Sequence, residues 1–370
     1  MVLQPLCLTD LHEAEPGLSR TLHGVATWGT WQRAGGRFVM LAIELARALP
    51  RDILRAGRRT QAVDLIFDEG AHWDAAHRRV ALYVHYAASG EISEMVRQQL
   101  RIIARAGFAV VFISNASNIS ETQWQAVQRD VALAVRRANF GLDFGAWRDV
   151  MPEVARRWPI VEELLLANDS VLGPVYPLEP VIETMRAGGD GLFGLTESLQ
   201  GGPHLQSYML LARGTGAVRD LMEFLRHVYV SHSKWLLIQV SELRLARWMR
   251  QRRHRVAAVF GYDRLVQAAV ADPAERQRLA KTQGALSDLD TLGAPAAVAR
   301  LYRWPLNPTW HLWHLLATQF HYPFIKTDVV RRGPAGNPEP SRWEAVVPDD
   351  APCPSPVLKA HLETLKALPR

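Results

Sequence analysis

The sequence predicts an α/β protein, a Rossmann-type mixed sheet flanked by helices, with an N-terminal extension and a helical, aromatic C-terminal segment. Three observations predict it. From Val80 onward short apolar runs alternate with amphipathic stretches, the pattern of parallel strands joined by crossover helices. The chain has 370 residues, 48% hydrophobic and 22% charged, a globular composition long enough to bury a sizeable core. Asn, Asp and Gly gather where strands end and helices begin, which is where open α/β sheets bind ligands.

Taken in order, Phe38 to Leu54 has helical apolar spacing punctuated by Pro50, within a stretch, 1–78, read as an extension. Val80 to Tyr86 reads as a buried strand. Glu91 to Ala106 is a helix with Ile92, Met95, Val96, Leu100 and Ile103 on one face, stopped by Gly107, and Phe108 to Ile113 is a second strand. Ser120 and Glu121 open a helix on which Trp124, Val127, Val131 and Val135 fall at three- and four-residue steps. A helix from Trp147 to Arg157 leads to a strand, Glu163 to Ala167, that runs into Asn168-Asp169-Ser170. Further elements are expected at Glu179 to Ala187 (helix), Leu192 to Gly194 and Gln206 to Ala212 (strands), Gly216 to Tyr229 and Glu242 to Arg253 (helices) and Val256 to Phe260 (strand). The main domain is placed at 79–330, and the Pro-rich tail, 331–370, is expected to be poorly ordered before a short terminal helix.

The formal charge is +6, and only five of the basic residues are lysines: Lys234, Lys281, Lys326, Lys359 and Lys366. No long block of like charge occurs, although Arg250, Arg252, Arg253 and Arg255 cluster, so an affinity for anionic substrates or headgroups is expected and nucleic acid is not. Cys7 and Cys353 stand near opposite ends, which argues against a disulfide framework, a zinc knuckle or a redox pair. Asp10, Glu13 and Glu15 occupy the place of a signal peptide's basic and apolar regions. A cytoplasmic protein is expected, peripheral on the inner face of the membrane through faces near 244–255 and 304–326.

Chemistry concentrates in a few places. Asn139 to Asp149 holds Gly141, Gly145, Asp143, Phe144 and Trp147 at a loop-to-helix junction, where glycines let backbone N–H groups approach a phosphate at a helix N-terminus. A tight turn with Asp143 as a helix cap reads equally well. Asn168-Asp169-Ser170 offers oxygen ligands for Mg²⁺ or Mn²⁺ carrying a diphosphate, or an Asx-turn ending the strand. Glu197, His204 and Gln206 flank a strand beside the same sheet edge. Glu242 is an acid opening a helix loaded with Arg244, Arg247 and Arg250, either a favourable charge at a helix start or a general base. Thr309 is expected to cap a helix presenting Trp310, Trp313 and His314, either core or a sugar-binding platform.

Together these pieces resemble the rhamnan synthesis protein F family of bacterial polysaccharide glycosyltransferases. The matching motifs are Phe112-Ile113-Ser114-Asn115, Asn139-x-Gly141-x-Asp143-Phe144-Gly145-Ala146-Trp147, Leu165-x-x-Asn168-Asp169-Ser170-x-x-Gly173-Pro174, Phe193 to Glu197, His204 to Tyr208 and Asn307-Pro308-Thr309. The resemblance implies a GT-A-like fold, a nucleotide-sugar donor with dTDP-rhamnose favoured, a divalent metal (Mg or Mn) and a glycan acceptor on a lipid carrier. It implies donor binding by Ser114, Asn139, Gly141, Asp143, Asn168 and Asp169, metal binding by Asp169, acceptor-side roles for Glu197, His204 and Gln206, and Glu242 as the catalytic base. Asn168-Asp169-Ser170 keeps one carboxylate where such transferases commonly carry two, and Tyr86 to Gly90 lacks the aspartate common after the first strand. The rival expectation is a non-catalytic scaffold of a polysaccharide assembly complex.

Overall fold

The computed structural model describes residues 5–13, 39–54, 66–333 and 339–366. Among the described residues, ten strands form one mixed sheet. Its parallel heart is β3 (Arg79–His85), β4 (Ala109–Ser114), β5 (Leu133–Arg136) and β6 (Glu163–Asn168), side by side in the order β5-β4-β3-β6. The chain therefore works outward from β3 to β5 and then restarts on the other side of β3. The topological switch point, and with it the binding crevice, falls at the carboxyl ends of β3 and β6.

The rest of the sheet continues beyond β6 through β10 (Met209–Arg213), β8 (Gly191–Ser198) and β11 (Arg255–Phe260). β10 runs antiparallel to both of its neighbours, and β11 is parallel to β8. The outermost strands, β1 (Thr9–Asp10) and β2 (Ile66–Glu69), pair antiparallel with β11 and β5. Both come from the stretch read as an N-terminal extension, which thus closes the sheet at each side. β1 is two residues long, too short for alternation to reveal it.

Strand residues alternate between two cores. Val80, Leu82 and Val84 of β3 face one core, with α4 (Leu142–Arg157), α6 (Thr215–His227) and α8 (Leu243–Gln251). Ala81 and Tyr83 face the other, with α2 (Glu94–Arg105), α3 (Glu121–Gln128) and α9 (Tyr262–Ala271). All six β3 residues from Val80 to His85 are buried, which explains why β3 reads as a continuous apolar run rather than an alternating one. Ser93 and Ser120 cap α2 and α3, accepting from Val96 and Gln123 N–H.

Two expectations fail for identifiable reasons. Val131 and Val135 leave the helix, because α3 stops at Gln128 and Val135 lies in β5, paired with Ile113; buried apolar residues four apart, one before a short strand and one within it, mimic a helical face. The tail is ordered from 339 to 366: Trp343, Cys353 and Leu358 are buried, and helix α15 (Ser355–Lys366) is tied to the cap of α2 by a 2.7 Å bond between His361 Nδ1 and Ser93 Oγ. No helix among the described residues is long and apolar enough to cross a membrane.

Candidate functional site

The first group at the switch point is Asp169. Its Oδ2 accepts from Tyr86 N–H at 2.8 Å, and its own N–H donates to Val84 O at 3.1 Å, so it bridges the ends of β3 and β6. One residue earlier, Asn168 is buried; its Oδ1 accepts from Ser170 N–H and Oγ at 3.1 and 2.6 Å, the expected Asx-turn. Its Nδ2 donates to Asp143 Oδ2 at 2.8 Å. A second carboxylate thus stands beside the strand-end motif, brought by the helix start 25 residues upstream.

Asp143 is placed by an unusual backbone. Gly141 (φ 75°) and Leu142 (φ 49°) are successive left-handed residues that turn the chain into α4, a conformation disfavoured for Leu by about 1–2 kcal/mol. A Cβ on Gly141 would sit 1.7 Å from Val230 Cγ1, and one on Gly145 would sit 2.2 Å from Phe140 O. Both glycines are thus required by close packing. Beneath them Arg137 donates to Asn115 Oδ1, Phe140 O and Asp149 Oδ2, each at 2.7 Å, so motif residues far apart in sequence share one buried guanidinium.

Three further groups enclose the pair. Glu242 Oε1 accepts from Ser207 N–H at 2.8 Å. It does not open a free helix: α7 (Lys234–Leu237) runs through a π-helical turn, Ile238–Glu242, into α8, so its reading as a charge at a helix start is overturned. Such turns are common at functional sites. Lys326 lies on β12 (Ile325–Lys326), opposite Val171 of β7 (Val171–Leu172), and the next residue, Thr327, donates from its N–H to Ser170 O at 3.1 Å. Lys234 begins α7 and lies 3.8 Å from Asp328.

Electrostatics confirm the crowding. Burial pushes Asp169 up to about 7, opposed by the Tyr86 N–H and reinforced by the Asp143 charge. Burial likewise pushes Asp143 up to about 6; Lys234 opposes it, Glu242 adds to it, and the Asn168 amide and Lys326 oppose it. Burial pushes the Lys326 ammonium down, and Glu242 pulls it back. Three carboxylates and two of the chain's five lysines thus share one crevice, the pattern expected of a site that handles charge.

The two aspartates are hard oxygen donors suited to Mg²⁺ or Mn²⁺. Among the described residues, no three His, Cys, Asp or Glu side chains are placed to hold an ion. Any divalent ion here would therefore need further oxygen ligands from outside the protein.

The remaining predicted residues have bonded partners of their own or stand exposed. Ser114 is buried at the end of β4, its Oγ 3.1 Å from His85 Nδ1. Asn139 is exposed on the loop before Gly141. Glu197 is wholly buried, with Oε1 accepting from His12 N–H at 2.7 Å and Oε2 from Tyr262 N–H at 3.1 Å; it fastens β1 and α9 to β8. His204 is buried, its Nδ1 2.8 Å from Gly202 O. Gln206 links motifs: its Oε1 accepts from Thr196 Oγ1 at 2.7 Å, and its Nε2 donates to Asn307 and Thr309 at 3.1 Å. Asn307, not Thr309, precedes the helix Pro308–His311, and Trp313 is core, so the aromatic stripe divides between two short helices. Outside the crevice, a groove of about 610 Å³ lies between Gly201–Pro203 and the α8 residues Arg244, Arg247 and Arg250.

Sequence reading missed Lys234 and Lys326. Their signal was rarity, since lysine is almost absent from an arginine-rich chain.

The mixed α/β sheet thus gathers carboxylate, amide and ammonium groups at its switch point, where open α/β sheets bind their ligands. The family model described as rhamnan synthesis protein F matches residues 110–237. That match supports the family read from the motifs and, with it, a role in polysaccharide synthesis. It takes in Asp143, Asn168, Asp169 and Lys234 and stops before Glu242 and Lys326. No curated protein matches the chain.

Proposed function

We propose that this chain is a GT-A-like glycosyltransferase that moves rhamnose or another deoxysugar from a nucleoside diphosphate donor, dTDP-rhamnose foremost, to a growing bacterial surface polysaccharide or lipopolysaccharide glycan. The observation that carries the reading is the convergence of Asp143, Asn168 and Asp169 at the switch point, with Glu242, Lys234 and Lys326 around them. The acceptor is a glycan on a lipid carrier, and its charged end fits the arginines of the groove along α8.

The reaction is a single displacement with inversion. Glu242, held through Oε1 by the Ser207 N–H, removes the proton of the acceptor hydroxyl as that oxygen bonds to the anomeric carbon. The bond from that carbon to the diphosphate oxygen breaks, and its electron pair leaves with the nucleoside diphosphate. Lys326 and Lys234 hold the departing charge; at an effective dielectric near 20, an ammonium about 4 Å from a phosphate oxygen contributes up to about 4 kcal/mol. Asp143 and Asp169 would hold a divalent ion, which, when bound, would neutralise the same oxygens.

Thermal shift of the purified chain against nucleoside diphosphates and nucleotide sugars, with and without Mn²⁺ or Mg²⁺, tests the reading. A shift with thymidine or uridine diphosphates that Asp169→Asn and Lys326→Met each reduce is expected. No shift with any nucleotide would transfer the protein to the scaffold class.

A further inference from the structure

Residues 39–54 form a helix, α1, with an inverted profile. Only Ala48 and Asp52 are buried, and Leu41 and Glu44 partly so, a stripe one turn apart that rests on the body of the protein. The outward side is apolar: Val39, Ile43, Leu49, Ile53 and Leu54 are 38 to 66% exposed. At 3.6 residues per turn these residues, with Ala42, Ala46 and Pro50, fill an arc of about 140° without a charge. Arg47 and Arg51, both exposed, stand on one flank of that arc.

The acids of α1 are tied to the body of the protein, although Glu44 Oε1 also lies 3.8 Å from Arg47 on the flank of the arc. Glu44 Oε2 accepts from Ser233 Oγ at 2.8 Å; Asp52 accepts from Tyr229 OH at 2.8 Å and from His232 N–H at 3.1 Å, and pairs with His232 Nδ1 at 2.9 Å. What remains for a partner is an apolar stripe edged only by positive charge, and the sequence continues with Arg55, Arg58 and Arg59. We propose that α1 is a docking helix for an anionic lipid surface, lying in the plane of the membrane with its apolar arc among the acyl chains and its arginines at the headgroups.

The placement deepens the glycosyltransferase reading, although docking stands without it. Through Asp52 and Glu44, α1 grips residues 229–233; Val230 of that segment packs on Gly141, and α7, which carries Lys234, begins where it ends. Docking therefore sets the crevice beside the membrane, where a lipid-linked acceptor resides.

The test is co-sedimentation of the full chain with vesicles of phosphatidylcholine alone or with about one part in three of phosphatidylglycerol. Binding only to the anionic vesicles is expected, weakened by added salt and reduced at least tenfold by Leu49→Glu/Ile53→Glu. Arg47→Ala/Arg51→Ala should weaken it about fivefold per arginine. Because these side chains are exposed, the variants should keep the wild-type melting temperature and nucleotide-induced shift, so loss of docking is separable from loss of the donor site. Equal binding by wild type and Leu49→Glu/Ile53→Glu, or no binding by either, overturns the proposal. So does a wild-type dimer in light scattering that the same double substitution dissociates, which would assign the face to a second copy.

Discussion

The two ends of the parallel strands use the same residue types to opposite effect. At the amino end of β6, buried Glu163 receives Arg186 through Nε and Nη2 at 2.9 and 2.8 Å, with Arg79 and Arg213 at 3.6 and 3.5 Å. Its charge is matched by rigid guanidinium forks, and that end is structural. At the carboxyl end, six residues away along β6, Asp169 and Asp143 have an amide and a backbone N–H as their bonded partners, and the nearby cations are lysines at a distance. A buried charge completed by its own protein stabilises the fold, whereas one left partly completed is available to a ligand.

The largest effect expected from breaking this contrast is at Glu242. Glu242→Gln should lower turnover by about 10²–10⁴-fold while leaving the nucleotide-induced thermal shift intact, measured by steady-state assay and melting in parallel. Wild-type turnover in that variant would remove Glu242 from the role of base.

Next comes the structural end. Arg186→Met leaves Glu163 without its closest partner and should cost about 3–5 kcal/mol in denaturant unfolding, with nucleotide affinity of the folded fraction unchanged. A loss below about 1 kcal/mol would mean that Arg79 and Arg213 suffice.

A smaller effect of opposite sign is expected at the site. Asp169 titrates near 7 in the folded protein, well above its ordinary range, so the folded state binds the proton more tightly than the unfolded one. Wild-type stability therefore falls as pH rises from about 4 through 7. Asp169→Asn lacks that fall: it should match wild type near pH 4 and be more stable above pH 7, by up to about 4 kcal/mol, while losing activity. Destabilisation at pH 8 would show that the charge supports the fold.

The smallest effect concerns His12, which lies 2.8 Å from Glu197 and 2.9 Å from Asp263. The hydrogen bond that its ring N–H donates to Glu197, against the opposing effect of burial, raises its pKa, so its stabilising contribution is present below pH 6.5 and lost as pH rises through the folded value. His12→Gln should lower the melting temperature at pH 5.5 and change it little at pH 9.

Much of this was legible in the sequence. The β3-α2-β4 unit follows from apolar runs and a 3.6-residue face, and the strand ending in Asn168-Asp169-Ser170 marks the crevice. The expectation of a single carboxylate there was a limit of reading along the chain: Asp143 joins Asp169 only because α4 starts beside the switch point, which pairing order decides and spacing does not. β5 hid behind residues spaced as on a helix. Lys326 arrives from a two-residue strand 155 residues beyond Val171, and no local pattern announces such a pairing.

The central claim, that the carboxyl ends of β3 and β6 form a nucleoside diphosphate site completed by Lys326 and Lys234, is tested most directly by calorimetric titration. The chain and its Lys326→Met variant are each titrated with thymidine and uridine diphosphates, with and without Mn²⁺. The account predicts binding by wild type and a dissociation constant raised about 10–100-fold by Lys326→Met, the loss expected for one charge-assisted contact of about 1.5–3 kcal/mol. Equal affinity in the two proteins would contradict it.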